Sequence, residues 1–259
     1  MKLNIVPART GTLWVRLGIR TFLRQPLAMS GLFFLFMAAI SVLGMIPYVG
    51  SVLSLALLPA ATLGLMAATR EATLGNFPMP TLLLTAFRAE RSQARAMLLL
   101  GVLYAVGILL VLGISALLDG GKFAKLYLMG GSLTQELLQD TEFQLATLVA
   151  LALYMPLSMA FWHAPALVHW HSVPAIKSLF FSLVACVRNF WAMTVYSLLW
   201  GAVAVSVITM VTIVGVTLGG PELVGTLIFP TALLLVAMFF TSMYFTFRDS
   251  FNEDSGETA

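Results

Sequence analysis

Residues 24–46 read RQPLAMSGLFFLFMAAISVLGMI: an arginine, a glutamine and a proline, then twenty residues without a charge. A helix needs about 20 apolar residues to cross the hydrocarbon core of a bilayer. Five more runs of this kind follow. The uncharged stretches are 27–46, 52–69, 96–118, 143–168, 191–218 and 223–247, and none contains Asp, Glu, Lys or Arg. They are continuously apolar, without the alternation of barrel strands, so helices are the spanning structure they predict.

Composition agrees. A 259-residue chain that is 60% hydrophobic and 10% charged lacks the polar surface to cover a soluble domain. The flanks set orientation. Lys2, Arg9, Arg16, Arg20 and Arg24 precede the first run, and Arg70, Arg88, Arg91 and Arg95 lie between the second and third. Lys177 and Arg188 lie between the fourth and fifth, and Arg248 follows the sixth. With six crossings these twelve cations share one side, and only Lys122 and Lys125 face the other. Cytoplasmic loops carry the excess of Lys and Arg, so both termini are expected in the cytoplasm. The first run follows a 26-residue basic segment and lacks a small-x-small cleavage site, so it reads as a retained span and not a signal peptide.

The formal charge of +3 is no sign of nucleic-acid binding. The cations hug the membrane ends, where their partners would be anionic phospholipid headgroups. The single cysteine, Cys186, excludes an internal disulfide framework and reads as a buried small residue.

An internal repeat is visible. Arg24-Gln25-Pro26-Leu27-Ala28-Met29-Ser30 precedes the first span, and Arg188-Asn189-Phe190-Trp191-Ala192-Met193-Thr194 precedes the fifth. Arg, Ala-Met and a hydroxyl residue recur at the same spacing, and Arg95-Ala96-Met97 echoes them before the third. Each even-numbered span holds a proline: Pro59, Pro156 and Pro230. The expected unit is a cytoplasmic lead-in helix, a span, an outer turn and a proline-bearing span. Two outer turns are tight, Tyr48-Val49-Gly50-Ser51 and Gly219-Gly220-Pro221-Glu222. The third, residues 119–142, is long. It is expected to open on a flexible Asp119-Gly120-Gly121 and to hold a short helix near 133–138.

At 100° per residue, Arg9, Arg16, Arg20 and Arg24 fall within one arc of a helix, while Trp14, Val15, Gly18 and Phe22 fall on the other side. This predicts an interfacial helix with guanidinium groups among phosphates. Arg88, Arg91 and Arg95 repeat the logic at i, i+3 and i+7, and Lys177 and Arg188 carry it weakly in 174–189. Two readings fit these cations: capture of anionic lipid, and plain anchoring with topology.

Ala56, Ala60, Gly64 and Ala68 recur every four residues on the second span, a smooth strip that lets another backbone approach and predicts a central helix. The prolines free carbonyls that need partners in protein or water, so they mark either a cavity lining or packing kinks.

His163, His169 and His171 are all the histidines. Histidine binds metals and carries protons. His169 and His171 are two apart and point different ways on a helix, and no carboxylate or cysteine stands nearby. Trp162 and Trp170 bracket the group as interfacial aromatics do. Metal binding and an interfacial polar role are the two readings, and His163, within a span, is a further candidate polar site. No span holds a carboxylate for an ion relay, and the sequence contains no His-Glu-x-x-His, Gly-x-Ser-x-Gly or phosphate-binding loop. No cofactor or catalytic residue is expected. The tail, residues 248–259, reads as acidic, cytoplasmic and disordered in its last ten residues.

Ala164-Pro165-Ala166-Leu167-Val168, with Ala175, Ser178 and Arg188-Asn189, resembles a pattern of an uncharacterised six-span bacterial inner-membrane protein family. That family is distantly similar to the membrane-spanning region of glycerophosphodiester phosphodiesterases. The resemblance covers about 30 residues and implies an inner-membrane location in a Gram-negative bacterium. It implies no phosphodiesterase activity, because the catalytic domain is missing, and it transfers no functional residue.

The expectation is an all-α membrane protein of six transmembrane helices in three hairpin repeats. It has a basic amphipathic segment (1–26), a membrane domain (27–247) and a short tail. Three functions remain open: a lipid or hydrophobic-solute handler without a catalytic centre, an accessory or scaffold subunit with a membrane-protein partner, and an intramembrane enzyme using the histidines.

Overall fold

The computed structural model describes residues 2–47 and 49–252. Tyr48 of the first outer turn and residues 253–259 of the acidic tail lie outside the described residues. The chain is almost wholly helical. The helices are α1 (Thr10–Arg24), α2 (Pro26–Gly44), α3 (Gly50–Thr73), α4 (Thr85–Arg88), α5 (Arg91–Asp119), α6 (Lys122–Met129), α7 (Gln135–Gln139), α8 (Thr141–Trp162), α9 (Ala164–His171), α10 (Ala175–Arg188) and α11 (Phe190–Ser250). A 3-10 turn, Pro80–Leu84, precedes α4, and strands β1 (Lys2–Leu3) and β2 (Phe251–Asn252) pair antiparallel. Among the described residues, five helical segments are long and apolar enough to cross a membrane: α2, α3, α5, α8 continued through α9, and α11.

α11 is not straight. Gly220 breaks it at φ 72°, ψ −168°, a conformation reserved for glycine, and Pro221 starts the second arm with its fixed φ. A hydroxyl–hydroxyl bond of 2.6 Å joins Tyr196 to Ser242. In an unbroken helix these residues would stand about 70 Å apart. α11 is therefore a hairpin.

Two compact units emerge from the contacts. The first comprises residues 2–37, 61–85 and 184–252. Here α1 lies against the α11 hairpin, with Trp14, Val15 and Phe22 buried and Arg16, Arg20 and Arg24 exposed. Two glycines make the approach close. Gly11 faces the Ala192 carbonyl and the Tyr196 amide, and a methyl on Gly18 would stand 2.8 Å from the Ser242 Cα. Trp14 meets Tyr196 edge-on and donates its Nε1–H to Asp249 Oδ2 at 2.9 Å. Buried Asn189 accepts from the Val6 amide at 2.9 Å and donates to the Asn4 carbonyl at 3.1 Å, and Asn4 in turn bonds Ser250 and Asp249. Residues 2–6, 189 and 249–252 thus form one clasp. Ser250, Phe251 and Asn252 are ordered by it, against the expectation of a disordered tail from residue 250. On α3, the Leu83 backbone lies against Gly64, where a methyl would stand 2.8 Å from the Leu83 Cα.

The second unit comprises residues 38–60 and 86–183. α5 and α8 pack side by side. Gly101 of α5 admits the Ala56 carbonyl of α3, and Gly107 admits Leu157 of α8. The connection after α5 is structured where a flexible opening was expected. Asp119 accepts from the Gly121 and Phe123 amides at 2.8 and 2.7 Å, which starts α6. Gly120 and Gly121 supply the positive φ that the turn requires, 65° and 88°. The short helix expected near 133–138 is α7. Lys122 pairs with Asp140, the N-cap of α8, and holds its carboxyl below the usual range.

Two further expectations are corrected. Arg88 ends α4, and Glu90 is extended (ψ 151°), so Arg88 does not share a helix with Arg91 and Arg95. The run 143–168 is not one helix: it breaks at His163, because Pro165 has no amide hydrogen for the ladder.

Gly18→Val would push α1 off the hairpin, since the obstructing atoms are the Ser242 Cβ and backbone, which cannot swing aside. A loss of about 1–3 kcal/mol is expected, read as a lower unfolding temperature and a red-shifted Trp14 emission. Gly31→Ala on α2 has open space around it and should leave both unchanged or slightly improved.

Candidate functional site

α1 and the first arm of α11 enclose a groove of about 660 Å³ in the first unit. Its walls are apolar: Val15, Ile19 and Leu23 from α1, Leu199 and Val203 from α11. Arg16, Arg20 and Arg24 stand along it. All three are exposed, and among the described residues no carboxylate pairs with any of them. The glycine contacts explain the position of the groove. They seat one face of α1 on α11 and leave the arginine face turned away from the contact. Chemically, the groove offers apolar walls for hydrocarbon and planar forks for phosphate or carboxylate oxygens.

A second, smaller cleft of about 390 Å³ lies in the second unit, between the start of α5 and the α9–α10 connection. Arg95, Gln93 and Ser172 line it. Gln93 Nε2 donates to Ser172 Oγ at 2.9 Å and to the His169 carbonyl at 3.1 Å. Ser172 sits at φ +52°, and Gln93 holds the turn from outside.

The other predicted cations are dispersed. Arg9 precedes α1, Arg88 ends α4, Arg91 opens α5, and Lys177 and Arg188 lie on α10; all are exposed, and none lines either groove. Of the packing residues, Ala60, Gly64 and Ala68 are buried on α3, and Ala56 offers its carbonyl to Gly101. Pro59 is buried, whereas Pro156 and Pro230 are exposed and line neither groove.

The three histidines differ in setting. His163 is fully buried at the α8–α9 break, while His169 and His171 lie in the last turn of α9. Among the described residues no three His, Cys, Asp or Glu side chains are placed to hold a metal ion. The break itself has a partner that sequence reasoning missed. In an unbroken helix the His163 amide would bond the Met159 carbonyl. Instead the Ser182 hydroxyl of α10 accepts from that amide at 2.9 Å and donates to that carbonyl at 2.8 Å. Pro165 signals the break; nothing in the sequence pairs it with Ser182. Asn189 and Gln93 were missed likewise, because their partners are distant in sequence.

An almost wholly helical chain with these apolar segments is a multi-pass integral membrane protein. It is 43% identical over 210 residues to a probable inner membrane protein of Burkholderia thailandensis, covering 80% of this chain and 78% of that protein. The chain belongs to the same family. No family model matches it, and no solved structure matches it. The match links the chain to an inner membrane protein and not to a glycerophosphodiester phosphodiesterase.

Burial pushes the Cys186 thiol of α10 up to about 12. Only thiolate attacks maleimide, so folded protein is expected to resist labelling at pH 8 and to react promptly once denatured. Equal rates in both states would contradict the burial. The sign for stability follows: the unfolded thiol ionises first, so folding loses support as pH rises from about 8.5 toward 12.

Proposed function

We propose that this protein is a six-span protein of the bacterial inner membrane, with both ends in the cytoplasm, that binds anionic phospholipid in the α1 groove. The observation that carries the reading is the row of three arginines, without a described carboxylate partner, along an apolar groove. A lipid satisfies both surfaces at once: phosphate on the guanidinium groups, acyl chain on the walls.

Six crossings are supported by the hairpin in α11, whose two arms are each long enough to span. An even number is supported by the clasp, which holds residues 2–6 beside residues 249–252 at one end of that hairpin. The cation asymmetry supports placing that end in the cytoplasm, and the family relative supports the inner membrane as the location. Three hairpin repeats are supported by a shared contact. The segment before each repeat meets a span that ends another: α1 meets the second arm of α11 at Ser242, the turn before α4 meets α3 at Gly64, and α10 meets α8 at Met159.

Native mass spectrometry of gently extracted protein tests the lipid reading. Wild type is expected to retain phospholipid, and an Arg16→Gln, Arg20→Gln, Arg24→Gln variant to retain at least about fivefold less with an unchanged unfolding temperature. Equal retention would sink the proposal. Orientation has its own test. Ser132→Cys should be labelled by an impermeant maleimide in intact spheroplasts and Glu90→Cys only after lysis, with buried Cys186 silent in both. The opposite pattern would reverse the assigned sides.

A further inference from the structure

We infer that the lipid held in the α1 groove carries two phosphates in one headgroup, as diphosphatidylglycerol does, and is selected over lipids with one. The inference rests on the reading of the groove as a lipid site and adds which lipid it prefers.

The argument is the spacing of the cations. Arg16, Arg20 and Arg24 follow at intervals of four. On a helix each step rises about 6 Å, so the three attachment points span about 12 Å. Each step also turns by about 40°, which keeps all three within about 80° of arc. Their attachment points form a ladder along the groove. One phosphate engages one or two guanidinium forks and leaves the far rung idle. In diphosphatidylglycerol six single bonds of about 1.5 Å link the two phosphorus atoms, so these separate by at most about 7 Å. That matches one rung of the ladder. Two phosphates laid along α1 would each meet a fork, with the middle arginine shared.

Charge and walls agree. The headgroup brings two negative charges to three cations, and no described carboxylate competes for them. The apolar side runs parallel to the ladder, with Val15, Ile19 and Leu23 one turn apart on the same helix. Acyl chains hanging from two adjacent phosphates would find a wall below each.

The experiment uses the full chain in nanodiscs containing tetraoleoyl diphosphatidylglycerol and dioleoylphosphatidylglycerol at equal phosphate, read by native mass spectrometry after release. Wild type is expected to retain diphosphatidylglycerol with about a tenfold preference per phosphate. Arg20→Gln removes the shared rung from an exposed position, so it should cut the preference to about twofold while phosphatidylglycerol is still retained. Equal retention of the two lipids by wild type, with both lost in the triple Gln variant, overturns this inference and leaves the groove reading standing. Full retention of both lipids by the triple Gln variant overturns the two together.

Discussion

Everything in this chain answers to one constraint: in hydrocarbon a backbone amide or carbonyl has no water to bond, so a helix is broken only where a replacement partner is built in. The Ser182 hydroxyl is the plainest instance, standing between the Met159 carbonyl and the His163 amide where the ladder has opened. At the join of α10 and α11, the Asn189 amide still bonds the Ala185 carbonyl and the Asn189 carbonyl still accepts from Met193, so its own two backbone groups stay paired. The side chain of Asn189 is then available to hold residues 4 and 6. At Gly220 the solution differs: a glycine-only conformation is followed by a proline that has no amide to satisfy.

Close helix contact follows from the same setting. Lipid tails are as apolar as leucine side chains, so helices gain little by hiding apolar surface from them and gain instead from fitting closely. Gly11, Gly18, Gly64 and Gly101 each face a neighbouring backbone. These contacts decide which face of α1 is sealed and which stays open, and thereby create the groove. The position of the arginines thus follows from the glycine contacts on the sealed face of α1.

The legible part of the molecule was the part written in local chemistry. Uninterrupted apolar runs announced the helices, and the arginine spacing announced α1 with its two faces. The Gly219-Gly220-Pro221 turn announced the fold-back. What stayed hidden depends on contacts between residues far apart in sequence. No local pattern marks Ser182 as the partner of a break nineteen residues earlier, or Asn189 as the hook for residues 4 and 6. Leu199 and Val203 looked like any other span residues until α1 was seen to lie beside them. The reading of Asp119-Gly120-Gly121 as a flexible opening failed for a different reason. Asp119 followed by two glycines is as much a helix-starting turn as a flexible linker, and the side-chain bonds to two amides decide for the turn.

The contacts between residues 2–24 and 189–252 bear on how the protein is made. Trp14 finds its hydrogen-bond partner 235 residues later, at Asp249. α1 leaves the ribosome well before the hairpin it rests on. Until then its apolar face, with Trp14, Val15 and Phe22, lacks the cover that α11 gives it in the folded protein, and the membrane surface is the natural shelter for such a face. Docking of α1 therefore waits until the hairpin is in place.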